Sequence, residues 1–155
     1  MKISSPEMAS RWDMLVFKLS IAVLILSGLA QMPIFKRYYI SEIPGLGWTA
    51  DYQFNHVLHY IAAAILLIVL FKWVITYLKT RNYSMKLSLS GKIRIILFLI
   101  IIVTGFFRAY KNLPDYYFSP LATTAIIWAH LAAGLLLGIV AVYSRLSGRR
   151  YFSRR

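Results

Sequence analysis

Three histidines carry the most specific chemistry in this chain, and two of them share the stretch "FNHVLHY". His56 and His59 lie just before the apolar run "ILLIVLF", and His130 lies within "IIWAHLAAGLLLG". A neutral imidazole binds metals and haem iron, and it exchanges protons near neutral pH. Ionisable groups are costly inside a membrane, so histidines within or beside apolar segments are candidate functional residues.

Four segments are long and apolar enough to cross a lipid bilayer, which requires about 20 residues. They cover residues 13–32, 52–77, 93–108 (extending to 110) and 121–144. The chain of 155 residues is 59% hydrophobic, and its mean hydropathy of +0.63 is high for a soluble domain. We expect an all-α membrane protein, with residues 1–155 forming one four-transmembrane-helix bundle. Asp51 and Ser119 are expected to cap the second and fourth helices.

Several kinds of site are excluded by the composition. The chain contains no cysteine, which excludes protein-ligated iron–sulfur clusters, disulfides and haem attached through a C-x-x-C-H motif. It also lacks a phosphate-binding loop, a metalloprotease motif and a nucleophile–histidine–acid arrangement. The first segment has no A-x-A-type cleavage site, so we do not expect it to be a secretory signal peptide.

The distribution of the +13 net charge indicates how the chain lies in the membrane. Residues 79–94 and 145–155 are rich in lysine and arginine and contain no acidic residue, whereas the loops 33–51 and 109–120 are near balance. Basic residues collect on the cytoplasmic side. We therefore expect a multi-pass protein of a bacterial or archaeal cytoplasmic (inner) membrane, with both termini cytoplasmic. The basic tail is expected to contact anionic lipid headgroups rather than nucleic acid.

The positions of His59 and His130 predict a haem site. His59 lies eight residues after Asp51, and His130 lies nine residues after Leu121. At 1.5 Å per residue, both lie about 12–14 Å along their helices. Two imidazoles at matched depth on different helices are what a bis-histidine haem b requires in a bundle core. The alternative is that each histidine is a hydrogen-bonded polar residue of the interior.

His56 is open to several interpretations. It lies about 4.5 Å nearer the outer water than His59. It is an alternative haem ligand to His59, a partner for a haem propionate, a proton carrier for a quinone, or an interfacial histidine without a role.

A weak internal repeat relates the two halves of the chain. The first segment ends in "ILSGLAQMP" and the third in "IVTGFFRAY". Each contains a hydroxyl residue followed by glycine, Ser27–Gly28 and Thr104–Gly105, and a histidine follows one loop later. Glycine at this depth lets a helix or a flat ligand approach the backbone closely.

Two further residues are candidates for cofactor binding. Gly134 lies one turn after His130 and gives a porphyrin room against the helix, although Gly134 and Gly138 also match a common helix-packing motif. Arg108, at the outer end of the third segment, is suited to pair with haem propionates. An arginine that extends to the headgroups explains it equally well.

Short motifs along nearly the whole chain resemble one family. They are Arg11, "LSGL", the histidine of the second segment, "TGFFR" and "HLAAGLLLG". This pattern is similar to the four-helix membrane cytochrome b subunits of periplasmic formate dehydrogenases and nickel–iron hydrogenases. The family stacks two haems b across the membrane. The resemblance implies that its outer ligands match His59 (or His56) and His130.

The chain departs from that family at the inner haem. The family commonly has an inner ligand in an R-x-x-H-W context of helix one, where this chain has Arg11-Trp12-Asp13-Met14. A second histidine of helix four would fall near Tyr143, and it is missing too. The resemblance therefore implies a one-haem form that keeps the outer site.

The resemblance also implies an electron-transfer subunit that is not itself catalytic. Its outward-facing partner would be a redox subunit with iron–sulfur, molybdenum, hydrogenase or multihaem cytochrome c centres. On the other side it would serve a quinone, menaquinone or ubiquinone, or a neighbouring membrane subunit. Because the family's quinone site lies near the inner haem, a quinone here would bind near the outer one, beside Tyr52, Asn55 and His56.

Two other classes of function remain open for this chain. A haem-free membrane anchor for a redox complex is the main alternative. A transporter or a lipid-modifying enzyme is disfavoured, because the segments hold few catalytic groups and no broken helix pair. Asp13 and Lys18 suggest an acid–base pair, which a surface ion pair explains as well. Lys18 and Lys72 are expected to extend to the headgroups, with contact to a quinone or an anionic lipid as the alternative.

Overall fold

The protein is all-α apart from one short pair of strands. The computed structural model describes residues 10–32, 34–79, 85–148 and 152–154. Four long helices are present: α1 (Arg11–Ala30), α3 (Tyr52–Lys79), α4 (Leu89–Tyr110) and α5 (Pro120–Leu146). A short helix α2 (Ile34–Arg37) and two 3-10 turns (Ile40–Glu42 and Gly47–Ala50) connect the first two. The strands β1 (Met85–Leu87) and β2 (Phe152–Arg154) pair antiparallel.

The four long helices agree with the four predicted segments, and each is long and apolar enough to cross a membrane. The prediction of an all-α, multi-pass membrane protein is therefore confirmed. Helix α4 begins at Leu89, four residues earlier than predicted. The side chain of Ser88 caps that helix by accepting a hydrogen bond from the Gly91 N–H at 3.0 Å. The first turn contains Ser90, Gly91 and Lys92, so the helix begins before its apolar run.

The helices form two compact units, Met1–Arg81 and Asn82–Arg155. In the first, α1 packs against α3, and in the second, α4 packs against α5. We call these pairs hairpin 1 and hairpin 2, and we call the end that carries the connecting loop the loop end. Assembly of the hairpins into one bundle and a cytoplasmic location of the termini stay predictions. Of the predicted basic clusters, Arg81, Arg149, Arg150 and Arg155 lie outside the described residues.

Polar side chains fix where the helices begin. Ser10 and Asp13 form a reciprocal capping box at the start of α1, with bonds of 3.1 and 3.2 Å. Asp51 accepts a hydrogen bond from the Phe54 N–H at 2.9 Å. Ser119 accepts one from the Ala122 N–H at 3.2 Å. Such bonds satisfy N–H groups that the first turn of a helix leaves unpaired. The predicted caps at Asp51 and Ser119 are confirmed.

The loop of hairpin 1 is attached to α3 by one buried side chain. Asn55 is fully buried, and its amide nitrogen donates to the carbonyls of Trp48 at 2.8 Å and Asp51 at 2.7 Å. The rings of Trp48 and Phe54 also meet edge to face, with centroids 6.0 Å apart. These contacts hold the loop against the first turns of α3, where His56 and His59 lie.

Polar pairs also join the helices at the end opposite each loop. In hairpin 1 the Lys72 ammonium lies 2.7 Å from an Asp13 carboxylate oxygen. In hairpin 2 the hydroxyls of Ser90 and Ser144 lie 2.8 Å apart. The suggested partner of Asp13 was Lys18, and Lys72 takes that place. A residue five positions along α1 faces away from Asp13, whereas Lys72 comes from the antiparallel helix packed beside it.

Candidate functional site

Hairpin 1 holds His59 by a hydrogen bond to Ser27. The Ser27 hydroxyl of α1 lies 2.9 Å from the Nδ1 atom of His59 on α3. Ser27 is fully buried, and its hydroxyl donates to the Val23 carbonyl one turn earlier at 2.7 Å. A serine in a helix interior commonly makes this bond to its own backbone. Here the same oxygen also joins the two helices through the imidazole.

Hairpin 2 repeats this arrangement with Thr104 and His130. The Thr104 hydroxyl of α4 lies 2.9 Å from the Nδ1 atom of His130 on α5. It donates to the Ile100 carbonyl at 2.6 Å. We call Ser27–His59 and Thr104–His130 the hydroxyl–histidine pairs.

A glycine lies directly against each imidazole. A Cβ atom built at Gly28 would lie 3.4 Å from the Cε1 atom of His59, and one built at Gly105 would lie 3.3 Å from the Cε1 atom of His130. Such distances are at or below the lower limit of ordinary carbon contacts. Each glycine therefore lets an imidazole pack onto the neighbouring helix. The sequence predicted a close approach here, by a helix or a ligand, and the structure shows a histidine ring in that place.

The repeat extends beyond the residues that suggested it. Ala62 and Ala133 each follow their histidine by three residues, and they are only 4% and 3% exposed. Because a helix turns once in about 3.6 residues, each alanine lies on the same face as its histidine. The two hairpins therefore bury the same small residue beside the same imidazole.

The two pairs lie at different distances from the loop end. His59 is seven residues from the start of α3, and His130 is ten residues from the start of α5. These spacings correspond to about 10 and 15 Å along the two helices. The matched depth of the two histidines stays a prediction, because the start of a helix does not mark the membrane surface. Ser27 and Thr104 differ in the same way, because they precede the ends of α1 and α4 by three and six residues. Hairpin 2 is thus extended by about one turn on both helices.

His56 has a different environment from His59. Its Nδ1 atom lies 3.3 Å from the side-chain oxygen of Gln31. The Gln31 amide nitrogen donates in turn to the Ser27 carbonyl at 3.3 Å. The ring lies between Tyr52 and Tyr60, with centroid distances of 5.5 and 4.4 Å. Hairpin 2 has Ile127 at the equivalent position, so the repeat does not extend to His56.

Arg108 and Gln31 occupy equivalent positions. Each lies four residues after the hydroxyl of its pair. Arg108 is half-buried in the last turn of α4, about one helical turn after Thr104, whose hydroxyl bonds to His130. Hairpin 2 therefore has a positive charge where hairpin 1 has a neutral amide.

Gly134 and Gly138 are open positions on α5. Among the described residues, a Cβ atom built at either glycine would meet no atom within 4 Å beyond its own helical neighbourhood. Their expected roles, room for a porphyrin or helix packing, stay predictions.

No group of three or more histidine, cysteine, aspartate or glutamate side chains that could hold a metal ion occurs within the described ranges.

Sequence reasoning missed three contributors to this site. Gln31 carries no signal of its own, and Ala62 and Ala133 look like ordinary apolar positions. Aligning "SGLAQ" with "TGFFR", and "HYIA" with "HLAA", would have selected all three from the repeat. The repeat identifies the two hydroxyl residues, but their bonds to the histidines depend on how the helices are rotated.

No protein-family model, curated protein or solved structure matches the chain. The resemblance to membrane cytochrome b subunits, drawn from short motifs, stays a prediction.

Proposed function

We propose that the chain is a membrane-anchoring cytochrome b subunit that carries electrons through one haem b, which His59 and His130 would hold. The observation that carries this proposal is the repeated hydroxyl–histidine pair, because each hairpin holds one imidazole by a 2.9 Å bond at Nδ1. A bis-histidine haem requires two neutral imidazoles. Two similar hairpins, each with one such imidazole, supply both.

The residues around each imidazole fit this cofactor. Histidines that bind metals almost always use their second ring nitrogen in a hydrogen bond, which orients the ring. Ser27 and Thr104 provide that bond. Bound haem b supplies a one-electron couple between ferric and ferrous iron. The chain itself holds the rings, keeps water away through its apolar helices and sets the charge nearby.

His59 is a better candidate ligand than His56. His59 shares its partner type, its bond length and its glycine contact with His130. The ring of His56 lies instead between two tyrosines and bonds to Gln31. A stacked, amide-bonded imidazole near the loop suits proton exchange with a quinone. Asn55 is less suited to that task, since its amide nitrogen already donates to two loop carbonyls.

Arg108 is proposed to attract the haem propionates. It is half-buried, and it lies about one helical turn after Thr104, the hydrogen-bond partner of His130. A guanidinium pairs well with carboxylates, because its donors match their geometry. Gln31, at the equivalent position of hairpin 1, offers hydrogen bonds without charge.

The proposed partners follow from the charge distribution and the family resemblance. The basic segments favour cytoplasmic termini in a bacterial or archaeal inner membrane. The loop ends of both hairpins then face outward, toward an external redox subunit. The electron acceptor or donor on the membrane side is a quinone near His56 or a neighbouring membrane subunit.

An optical spectrum with haem quantification tests the proposal. The full chain is purified from a haem-replete host, and a reduced-minus-oxidised spectrum is recorded. We expect one bis-imidazole haem b per chain. His59→Ala and His130→Ala should lose it. His56→Ile, which introduces the residue of hairpin 2, should keep it.

Two results would contradict the proposal. Wild-type protein that folds normally without haem would support the anchor function instead. Loss of haem in His56→Ile but not in His59→Ala would move the ligand to His56.

A further inference from the structure

In each hydroxyl–histidine pair, the direction of the hydrogen bond follows from the second bond that the hydroxyl makes to the backbone. A serine or threonine hydroxyl has one hydrogen and can accept further bonds, whereas a carbonyl oxygen only accepts. The Thr104 hydroxyl lies 2.6 Å from the Ile100 carbonyl, and the Ser27 hydroxyl lies 2.7 Å from the Val23 carbonyl. The single hydrogen of each hydroxyl must point to its backbone carbonyl, because two oxygen atoms this close with no hydrogen between them would repel each other.

The ring nitrogen must therefore be the donor. With its hydrogen used on the backbone, the hydroxyl oxygen can only accept from Nδ1 of the imidazole, at 2.9 Å in both hairpins. In a neutral ring with Nδ1 protonated, Nε2 is the basic nitrogen.

We infer that Ser27 and Thr104 are positioning residues that fix the Nδ1–H tautomer of His59 and His130 and so make Nε2 the metal-binding nitrogen of each ring. The part that concerns iron rests on the proposed function, whereas the tautomer itself does not. The bond from each hydroxyl to its backbone carbonyl fixes the direction of the bond to the ring. It turns a group that could donate or accept into an acceptor only.

The same bond affects the ligand strength of the ring. An acceptor at Nδ1 draws its proton outward and raises the basicity of Nε2. A more basic ligand favours ferric over ferrous iron, and removing the acceptor therefore raises the reduction potential. The glycine beside each ring allows this geometry, because Gly28 and Gly105 leave the imidazole close to the helix that carries the hydroxyl.

The chain offers matched variants for a test. Thr104→Val removes the hydroxyl with little change of shape, and Thr124→Val is its control. Thr124 lies on α5, and its hydroxyl bonds the Pro120 carbonyl one turn earlier at 2.9 Å without forming either pair. Ser27→Ala has an equivalent control in Ser147→Ala, because the Ser147 hydroxyl bonds the Tyr143 carbonyl at 2.7 Å. The swaps Thr104→Ser and Ser27→Thr keep the hydroxyl and serve as rescue variants.

The first measurement needs no haem. Full-length protein labelled with ¹⁵N-histidine is prepared under haem limitation in lipid nanodiscs, and the ring nitrogen signals are assigned. We expect protonated Nδ1 and unprotonated Nε2 at His59 and His130. Thr104→Val should return His130 to a mixture of tautomers, while Thr104→Ser and Thr124→Val keep the wild-type pattern. A wild-type ring protonated at Nε2 would overturn the inference.

The second measurement uses the haem-loaded protein. Thr104→Val and Ser27→Ala should raise the midpoint potential by up to about 59 mV, which is a tenfold change in the preference for ferrous iron. They should also weaken haem retention by roughly tenfold or more. The control and rescue variants should leave both unchanged. Equal potentials in Thr104→Val and Thr124→Val would overturn the iron part, even if haem is bound as proposed. If no haem binds, the proposed function fails and the tautomer measurement still decides the rest.

Discussion

Replacing Gly105 with alanine puts a methyl group against the His130 ring. The new Cβ atom would lie 3.3 Å from Cε1 and 3.8 Å from Nδ1 of that imidazole. Ordinary contacts between carbon atoms lie near 3.5–4.0 Å. The ring must therefore retreat by a few tenths of an ångström, which stretches its bond to Thr104.

Two opposing effects determine how much Gly105→Ala changes the free energy of unfolding. Alanine is more favourable than glycine inside a helix by about 0.5–1 kcal/mol. Overpacking a tight contact costs about 1–3 kcal/mol. Gly138→Ala on α5 provides the first effect alone, since its added Cβ meets no described atom within 4 Å outside its helical neighbourhood. We expect Gly105→Ala to be about 1–3 kcal/mol less stable than Gly138→Ala.

The assay monitors unfolding in detergent by circular dichroism and quantifies the haem bound by each variant. Gly105→Ala should unfold more easily than Gly138→Ala and bind less haem. Gly28→Ala should show a smaller loss, because its Cβ would lie 3.4 Å from His59 rather than 3.3 Å. If Gly105→Ala matches Gly138→Ala in stability and keeps the haem content of the wild type, the close packing of His130 against α4 is refuted.

Two other substitutions test the surroundings of the pairs. Arg108→Gln introduces the residue that hairpin 1 has at this position. Removing the positive charge should lower the haem midpoint potential by roughly 50–100 mV, for charges about 8 Å apart at an effective dielectric constant of about 20. An unchanged potential in a redox titration would place Arg108 away from the haem. Asn55→Ala removes the two hydrogen bonds from the Asn55 amide to loop carbonyls and should cost about 1–3 kcal/mol of unfolding free energy, because each such bond contributes about 0.5–1.5 kcal/mol. Gln53→Ala, at an exposed position of the same turn, is its control, and equal stability of the two variants would argue against a fixed loop.

Local features of the fold could be read from the sequence. The four long helices were predicted because apolar length is a property of each segment alone. The caps at Asp51 and Ser119 were predicted because a capping side chain and the N–H it bonds lie only a few residues apart. The start of α4 differed from the prediction by four residues, because the first turn after the Ser88 cap is polar and extends the helix beyond its apolar run.

Features that depend on two helices could not be read in this way. Asp13 pairs with Lys72 rather than Lys18, because the partner comes from the antiparallel helix. The distance of each histidine from the start of its helix also differed from the sequence estimate, because hairpin 2 is about one turn longer than hairpin 1 at its loop end.

The sequence by itself determined that this chain has four membrane-spanning helices and that its two halves share a hydroxyl–glycine step and a histidine. Both conclusions follow from residue type and spacing along one chain. Only the tertiary structure decided that Ser27 meets His59 and not His56, and that Thr104 meets His130. Residues three positions apart on a helix point in directions about 60° apart. The rotation of α3 against α1 therefore selects which imidazole reaches the serine, and that rotation is set by packing across the whole hairpin.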